Sequence, residues 1–274
     1  LFMGTPDFAT ASLAALLAAG KHVCAVVTQP DKARGRGMKV TFSDVKKFAL
    51  EKELPVLQPE TLKNGAFLPT LEEYKPDLIA VVAYGKILPE YILNYPKYGC
   101  VNVHGSLLPK YRGAAPIQRA VLNGDSVSGV TTMRLDKGMD TGDTYFSESV
   151  EIGENMTTGE LFDTLAEIGG KLLVQTVEAL ENGSAKPLPQ DHANATHADK
   201  ILPEECELDF SLPARAVHNR IRGLSPFPGA FSHLDGKIVK LYDSRLNDET
   251  GEKAPCGTVL EASRDGVVIA CGTG

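Results

Sequence analysis

Cysteine is sparse in this chain of 274 residues: there are five, an odd number, widely scattered. No two make a Cys-x-x-Cys spacing, and the six histidines make no tight pair. A disulfide framework and a structural zinc site are therefore not expected, and reduced thiols in a cytoplasm are. Long apolar runs are missing too. None could span a bilayer, and no signal-peptide pattern is present. Cations are outnumbered, 28 Lys and Arg against 35 Asp and Glu, for a net charge of −7. That balance is a poor overall match for nucleic acid, so any such contact needs a local basic patch. The GxGxxG fingerprint is absent as well. The first turn, Gly4-Thr5-Pro6-Asp7-Phe8, holds one glycine and then a proline, which leaves dinucleotide binding little support.

What is there suits a globular enzyme: 43% hydrophobic and 23% charged residues, long enough for one large or two medium domains. An apolar strand ends near Met3. A helix with Phe8, Leu13, Leu16 and Leu17 on one face follows and stops at Gly20. Val23 to Val27 is a buried strand, so the opening is a βαβ unit of a doubly wound, mostly parallel sheet. Leu78 to Ala83 is a continuous apolar run and a central strand. Tyr84-Gly85-Lys86-Ile87-Leu88-Pro89 leaves its carboxyl end, where open α/β sheets bind ligands. An aromatic ring, a glycine and two aliphatics could form a slot for a flat ring there, or an ordinary connecting loop. Thr158 to Leu180 is a long amphipathic helix that covers the sheet.

Further on, the pattern changes. Residues 184–203 are rich in Pro, Asn, His, Asp and Ala without periodicity and read as a linker, with His192 and His197 solvated. From 204, a helix with three arginines precedes several hairpin-length strands with Asp-Gly turns, as in a small OB-like barrel. His218 and His233 read as helix-surface and strand-surface residues. The expected division is 1–183, a linker over 184–203, and 204–274.

Chemistry concentrates in Cys100-Val101-Asn102-Val103-His104, which alternates as a strand before a loop. Asn102 and His104 share one face. An amide beside an imidazole is either a satisfied polar pair at a strand end or a site. There the amide donates to developing negative charge and the imidazole moves a proton. The turn Asp136 to Asp143 adds three carboxylates and two glycines. Asp136 and Asp143 read as turn residues bonding local amides, and Asp140, between the glycines, as the candidate for chemistry. The spacing is not that of an EF-hand, so a metal is not expected. Lys32, Arg34, Arg36 and Lys39 form a basic, glycine-containing loop between a strand and a helix. It is either solvated or laid along phosphates.

Several stretches together resemble the formyltransferases that use 10-formyltetrahydrofolate. They are Asn102-Val103-His104-Gly105-Ser106-Leu107-Leu108-Pro109, Tyr111-Arg112-Gly113-Ala114-Ala115-Pro116-Ile117-Gln118 and Met139-Asp140-Thr141-Gly142-Asp143. Gly4 to Ala9, Gln29-Pro30-Asp31 and Val82 to Gly85 add to them, so the likeness runs along nearly the whole chain. It is strongest to the branch whose acceptor is the methionine amine of charged initiator tRNA. The resemblance implies a Rossmann-like catalytic domain, an OB-like tRNA-contacting domain, folate as co-substrate and no metal. It implies catalysis by Asn102, His104 and Asp140. It implies a pterin site at Tyr84, Gly85, Lys86, Ile87 and Leu88, read by main-chain atoms of 86 to 88, with Ser106, Leu107, Leu108 and Pro109 beside it. The loop with Lys32, Arg34, Arg36 and Lys39 would meet the acceptor stem, Arg36 above all. Both ends are expected to be trimmed, and a monomer is the default. The same chemistry on another amine, glycinamide ribonucleotide or an amino-sugar nucleotide, is the first alternative. A non-enzymatic tRNA-binding protein is the second.

Overall fold

The computed structural model describes residues 1–34, 39–251 and 254–274. The elements begin with β1 (Phe2–Gly4), α1 (Asp7–Ala18), β2 (Val26–Val27), β3 (Lys32–Arg34) and β4 (Lys39–Thr41). Next come α2 (Asp44–Glu51), β5 (Val56–Leu57), α3 (Leu68–Tyr74), β6 (Ile79–Val82), α4 (Glu90–Leu93) and β7 (Cys100–His104). Then follow β8 (Arg112–Gly113), α5 (Pro116–Leu122), β9 (Val127–Arg134), β10 (Thr144–Glu151), α6 (Thr158–Glu181) and β11 (His197–Ala198). Last are α7 (Ala214–Gly223), β12 (Ala230–Leu234), β13 (Lys237–Leu241), β14 (Val259–Ser263) and β15 (Gly266–Ile269). The chain packs as two compact units, one of 1–112, 129–149 and 163–197, the other of 113–128, 150–162 and 198–274.

In the first unit seven strands form one sheet in the order β10-β9-β7-β6-β1-β2-β5. The run from β5 to β7 is parallel, and β9 is antiparallel to β7. β10 is antiparallel to β9: Arg134 meets Asp143 while Thr132 meets Phe146, so partner numbers rise as residue numbers fall. The strands wind outward from β1 both ways, as the apolar runs predict. The switch lies between β1 and β6, and their carboxyl ends open the crevice where such sheets take ligands. Thr5 and Gln29 close its floor, each donating a side-chain hydrogen to the carbonyl of Tyr84.

The alternation of β7 sets what faces where. Val103 lies against α6, and a Cβ on Gly169 of that helix would come within 2.8 Å of it. The other face starts in a core of Met3, Val27, Ile79, Val81 and Cys100, where burial pushes the Cys100 thiol up to about 12. Two and four residues later that same face presents Asn102 and His104. α6 is held at its start by a reciprocal pair. Thr157 Oγ1 accepts from the Glu160 N–H, and the Glu160 carboxylate accepts from the Thr157 N–H.

Two local expectations change. The apolar run 23–27 yields only the short β2. The basic segment, expected as a loop, pairs its ends as a hairpin, with Lys32 opposite Thr41 and Arg34 opposite Lys39 in backbone register. Arg36 lies outside the described residues.

The second unit has its own core of Cys206, Leu208, Val217, Ile221, Leu224, Ala230 and Cys271. α7 packs close to α5, since Gly223 leaves no room for a Cβ against Leu122. The strands form a small domain of two antiparallel hairpins, β12–β13 and β14–β15, with no pairing between the two among the described residues. His218, expected on the helix surface, is buried instead. It bonds Ser244 Oγ at 2.7 Å and the carbonyl of Glu154 at 2.9 Å, and burial lowers its basicity. A lone imidazole in a polar helix carries no sign that loop carbonyls will close over it. His233 is on the surface, beside Glu207.

Arg119 grips Glu205 with two nitrogens, at 2.6 and 3.0 Å. That grip, followed by the N–H of Leu202, holds the Glu205 carboxyl below its ordinary 4.5. A depressed carboxylate stabilises the fold above its unfolded value and loses that contribution as pH falls through the folded one. Glu205→Gln is therefore expected to flatten the acid limb of stability below about pH 4.5. Urea unfolding from pH 3 to 7 checks this, and parallel curves for both proteins would refute it.

Candidate active site

His104 ends β7, directly opposite Thr131 of β9. Its ring is nearly buried, and Nε2 lies 2.8 Å from the carbonyl of Tyr111. A carbonyl only accepts, so Nε2 carries hydrogen. The other nitrogen, Nδ1, faces Asp140 Oδ2 at 3.7 Å. A carboxylate also only accepts. A hydrogen on Nδ1 would therefore point at that carboxylate. Asn102 lies on the same face, opposite Met133, half-buried. Its side-chain amide has no hydrogen-bond partner among the described residues, so a donor stands uncommitted beside the ring.

Asp140 comes from the turn between β9 and β10. Asp136 closes that turn by accepting from the N–H of Gly138 and the hydroxyl of Thr141. This is the turn role expected of Asp136. Gly142 lies so close to the carbonyl of Arg134 that a Cβ would sit 1.9 Å from it. Asp140 itself has φ +55°, the left-handed region, which a non-glycine residue holds only when its surroundings fix it. Tyr111, whose carbonyl holds His104, is also left-handed at φ +59°. Both sides of the His104 ring are thus met by strained backbone.

The loop after β7 is knitted to β9. Ser106 Oγ donates to the carbonyl of Lys110, and Thr131 Oγ1 donates to that of Ser106 and accepts from the N–H of Leu108. Leu107, Leu108 and Pro109 are half-buried along it. Of the expected pterin residues, Tyr84 departs from its role. Its ring is 2% exposed within the first unit's core, its hydroxyl has no hydrogen-bond partner among the described residues, and burial raises it to about 12. The ring is therefore core and only its carbonyl faces the crevice floor, because Ala83 at φ +45° turns the chain inward. Gly85 is exposed and Ile87 is 84% exposed, an open apolar edge. Leu88 is buried, and Lys86 Nζ donates to the carbonyls of Pro59 and Glu60.

The segment read as a linker contributes most that sequence reasoning missed. Leu188 pairs with Thr144 by both main-chain bonds. Gln190 binds the Asp140 turn, and Thr196 accepts from the N–H of Tyr111 through Oγ1 and from that of Arg112 through its carbonyl. His192 is exposed as expected, yet its Nδ1 accepts from Arg112 at 3.0 Å. This strap touches the loops that hold His104 and carry Asp140. Its polar, aperiodic composition gave no signal of that.

Concavity and chemistry part company here. A cavity of about 390 Å³ lies around Leu1, Lys21, Tyr74 and Tyr98, at the amino ends of the strands, and holds none of these groups. Among the described residues no three His, Cys, Asp or Glu side chains cluster as metal ligands, and no helix is long and apolar enough to cross a membrane.

A strand-end amide and imidazole facing a turn carboxylate, on a doubly wound sheet, suit acyl transfer. The comparisons name the kind. Residues 1–177 match the formyl transferase family, and 200–274 match its C-terminal domain, so the chain belongs to that family and is a formyl-transferring enzyme. Methionyl-tRNA formyltransferase of Acetivibrio thermocellus is 47% identical over 274 residues, covering 100% of this chain and 88% of that one. That of Caldanaerobacter subterraneus subsp. tengcongensis is 49% identical over 273 residues, covering 99% and 88%. Within the formyl transferases, then, the family is that of the methionyl-tRNA formyltransferases. Solved structures share the fold. A sugar 3N-formyl transferase, WlaRD, seen with dTDP and 5-N-formyl-THF, has a TM-score of 0.71 at 21% identity, covering 98% and 96%. An N-formyltransferase from Helicobacter canadensis, seen with folinic acid and dTDP-3-aminofucose, has 0.70 at 18%, covering 99% and 98%.

Proposed function

We propose that this chain transfers the formyl group of 10-formyltetrahydrofolate to the free amine of methionyl initiator tRNA, in the cytoplasm, for the start of translation. The observation that carries the chemistry is His104 held between the Tyr111 carbonyl and Asp140, with the Asn102 amide uncommitted two residues before it. The amine nitrogen attacks the formyl carbon, and the carbonyl oxygen becomes an oxyanion. Asn102 donates an N–H to that oxygen. His104, when protonated, stabilises the same charge, then gives its proton to N10 of the folate as the C–N10 bond breaks. Asp140 keeps the ring charged and, through a water, takes the proton the amine loses. The open edge at Gly85 and Ile87, with main chain through Leu88, suits a flat pterin. Ser106, Leu107, Leu108 and Pro109 would line its other side.

The proposed division of labour is a catalytic domain over 1–183 and a tRNA-contacting one over 204–274, joined by 184–203. Lys32, Arg34 and Lys39 belong to one hairpin of an acidic protein, and Arg36 adds a fourth cation to the same stretch of sequence, which supports a phosphate-binding role. Arg36→Ala is expected to raise KM for tRNA, to leave that for folate alone, and to lower the salt slope of tRNA binding by about 0.9. Fluorescence titration with tRNA from 50 to 200 mM salt checks it, and an unchanged slope and KM would remove Arg36 from the interface. The substrate itself is tested by offering the pure protein charged initiator tRNA, glycinamide ribonucleotide and an amino-sugar nucleotide, each with formyl-folate. Turnover on the tRNA alone is expected. Preference for either small amine would transfer the assignment to that substrate.

A further inference from the structure

Gln190 is buried, and every part of its amide is committed. Nε2 donates to the carbonyls of Asp140 at 2.9 Å and Gly142 at 2.7 Å. Oε1 accepts from Arg112 Nε at 3.1 Å and Nη2 at 2.6 Å. A guanidinium only donates and a carbonyl only accepts, so the amide can sit only this way round. Arg112 is 5% exposed, and its side-chain acceptors are neutral: Gln190 Oε1 and His192 Nδ1. A buried cation with no carboxylate partner among the described residues is a costly arrangement, and here it serves to aim one amide.

These bonds close a circuit. His104 is held by the carbonyl of Tyr111, the next residue Arg112 grips Gln190, Gln190 grips the main chain of Asp140, and Asp140 faces His104 again. Asp140, whose φ is in the strained left-handed region, is one of the two residues whose carbonyls Gln190 holds. We infer that Gln190 is a positioning residue for the reaction: it fixes the left-handed turn that aims Asp140 at His104, and Arg112 fixes Gln190. This rests on the role given to Asp140 above.

Gln190→Glu separates positioning from mere support. It keeps size and the Arg112 contact but turns an oxygen toward two carbonyl oxygens, which pushes the Asp140 turn away. A shift of about 1 Å at a catalytic group reduces rate by up to about a hundredfold. The expected result is kcat lowered about tenfold to a hundredfold, with KM for folate and tRNA changed less than about twofold. In an Asp140→Asn background the same change should cost nothing further, because its target is already gone. If Asp140→Asn alone leaves kcat intact, the assignment of Asp140 fails. If Asp140→Asn is inactive while folded Gln190→Glu turns over at the parent rate, or loses rate equally in both backgrounds, the positioning inference fails. Should Gln190→Glu not fold, Arg112→Lys keeps the cation, loses the two-pronged grip, and is read in the same assay. Parent kcat in that variant overturns the inference.

Discussion

Asn102→Ala is expected to lower kcat on the order of a hundredfold to a thousandfold, the loss seen when one oxyanion donor is removed. The melting temperature should barely move. Asn102 is half-buried and its amide bonds to nothing among the described residues, so truncation breaks no internal hydrogen bond. KM should also hold, because the interaction forms with charge that exists only in the transition state. Single-turnover formyl transfer, with a thermal melt on the same samples, decides it. A rate within threefold of the parent would mean that the oxyanion is met elsewhere.

Gly142→Ala should damage fold and activity together. The new Cβ would sit 1.9 Å from the carbonyl of Arg134, a main-chain atom in a strand that cannot step aside. Relief has to come from the turn, which carries Asp140 two residues away. Such overpacking destabilises by about 1–3 kcal/mol, and displacing Asp140 by about 1 Å lowers rate up to about a hundredfold. Gly153→Ala is the control: its Cβ would meet only Met156 at 3.9 Å, so it should stay within about 0.5 kcal/mol. Chemical denaturation and initial rates read both variants. Equal behaviour of the two would show that the turn is not confined as described.

The parts of this fold legible in the sequence are those with strong periodicity. The apolar run 78–83 became β6, the alternation at 100–104 became β7, and the amphipathic stretch 158–180 became α6. The face shared by Asn102 and His104 followed from the two-residue period alone. Asp140 was preferred over Asp136 and Asp143 from its place between glycines, and it is the one of the three seen facing His104. The misses have separate causes. Lys32 to Lys39 has loop composition without alternating apolar residues, so the hairpin pairing of its ends had no pattern to announce it. Tyr84 looked like a slot-liner because an aromatic after a strand often is, but the turn at Ala83 drives its ring into the core. Gln190 and Thr196 act on residues 48 to 85 positions away, and no local pattern encodes that distance.

The strap also bears on where this enzyme can be cut or grafted. The match to the formyl transferase family ends at 177, but Leu188, Gln190 and Thr196 lie beyond it and clasp the loops of the proposed reaction centre. A chimera spliced at 177 would carry Asn102, His104 and Asp140, the proposed reacting side chains, and leave behind the buckle that holds their loops. The seam for swapping tails onto this catalyst belongs after 198.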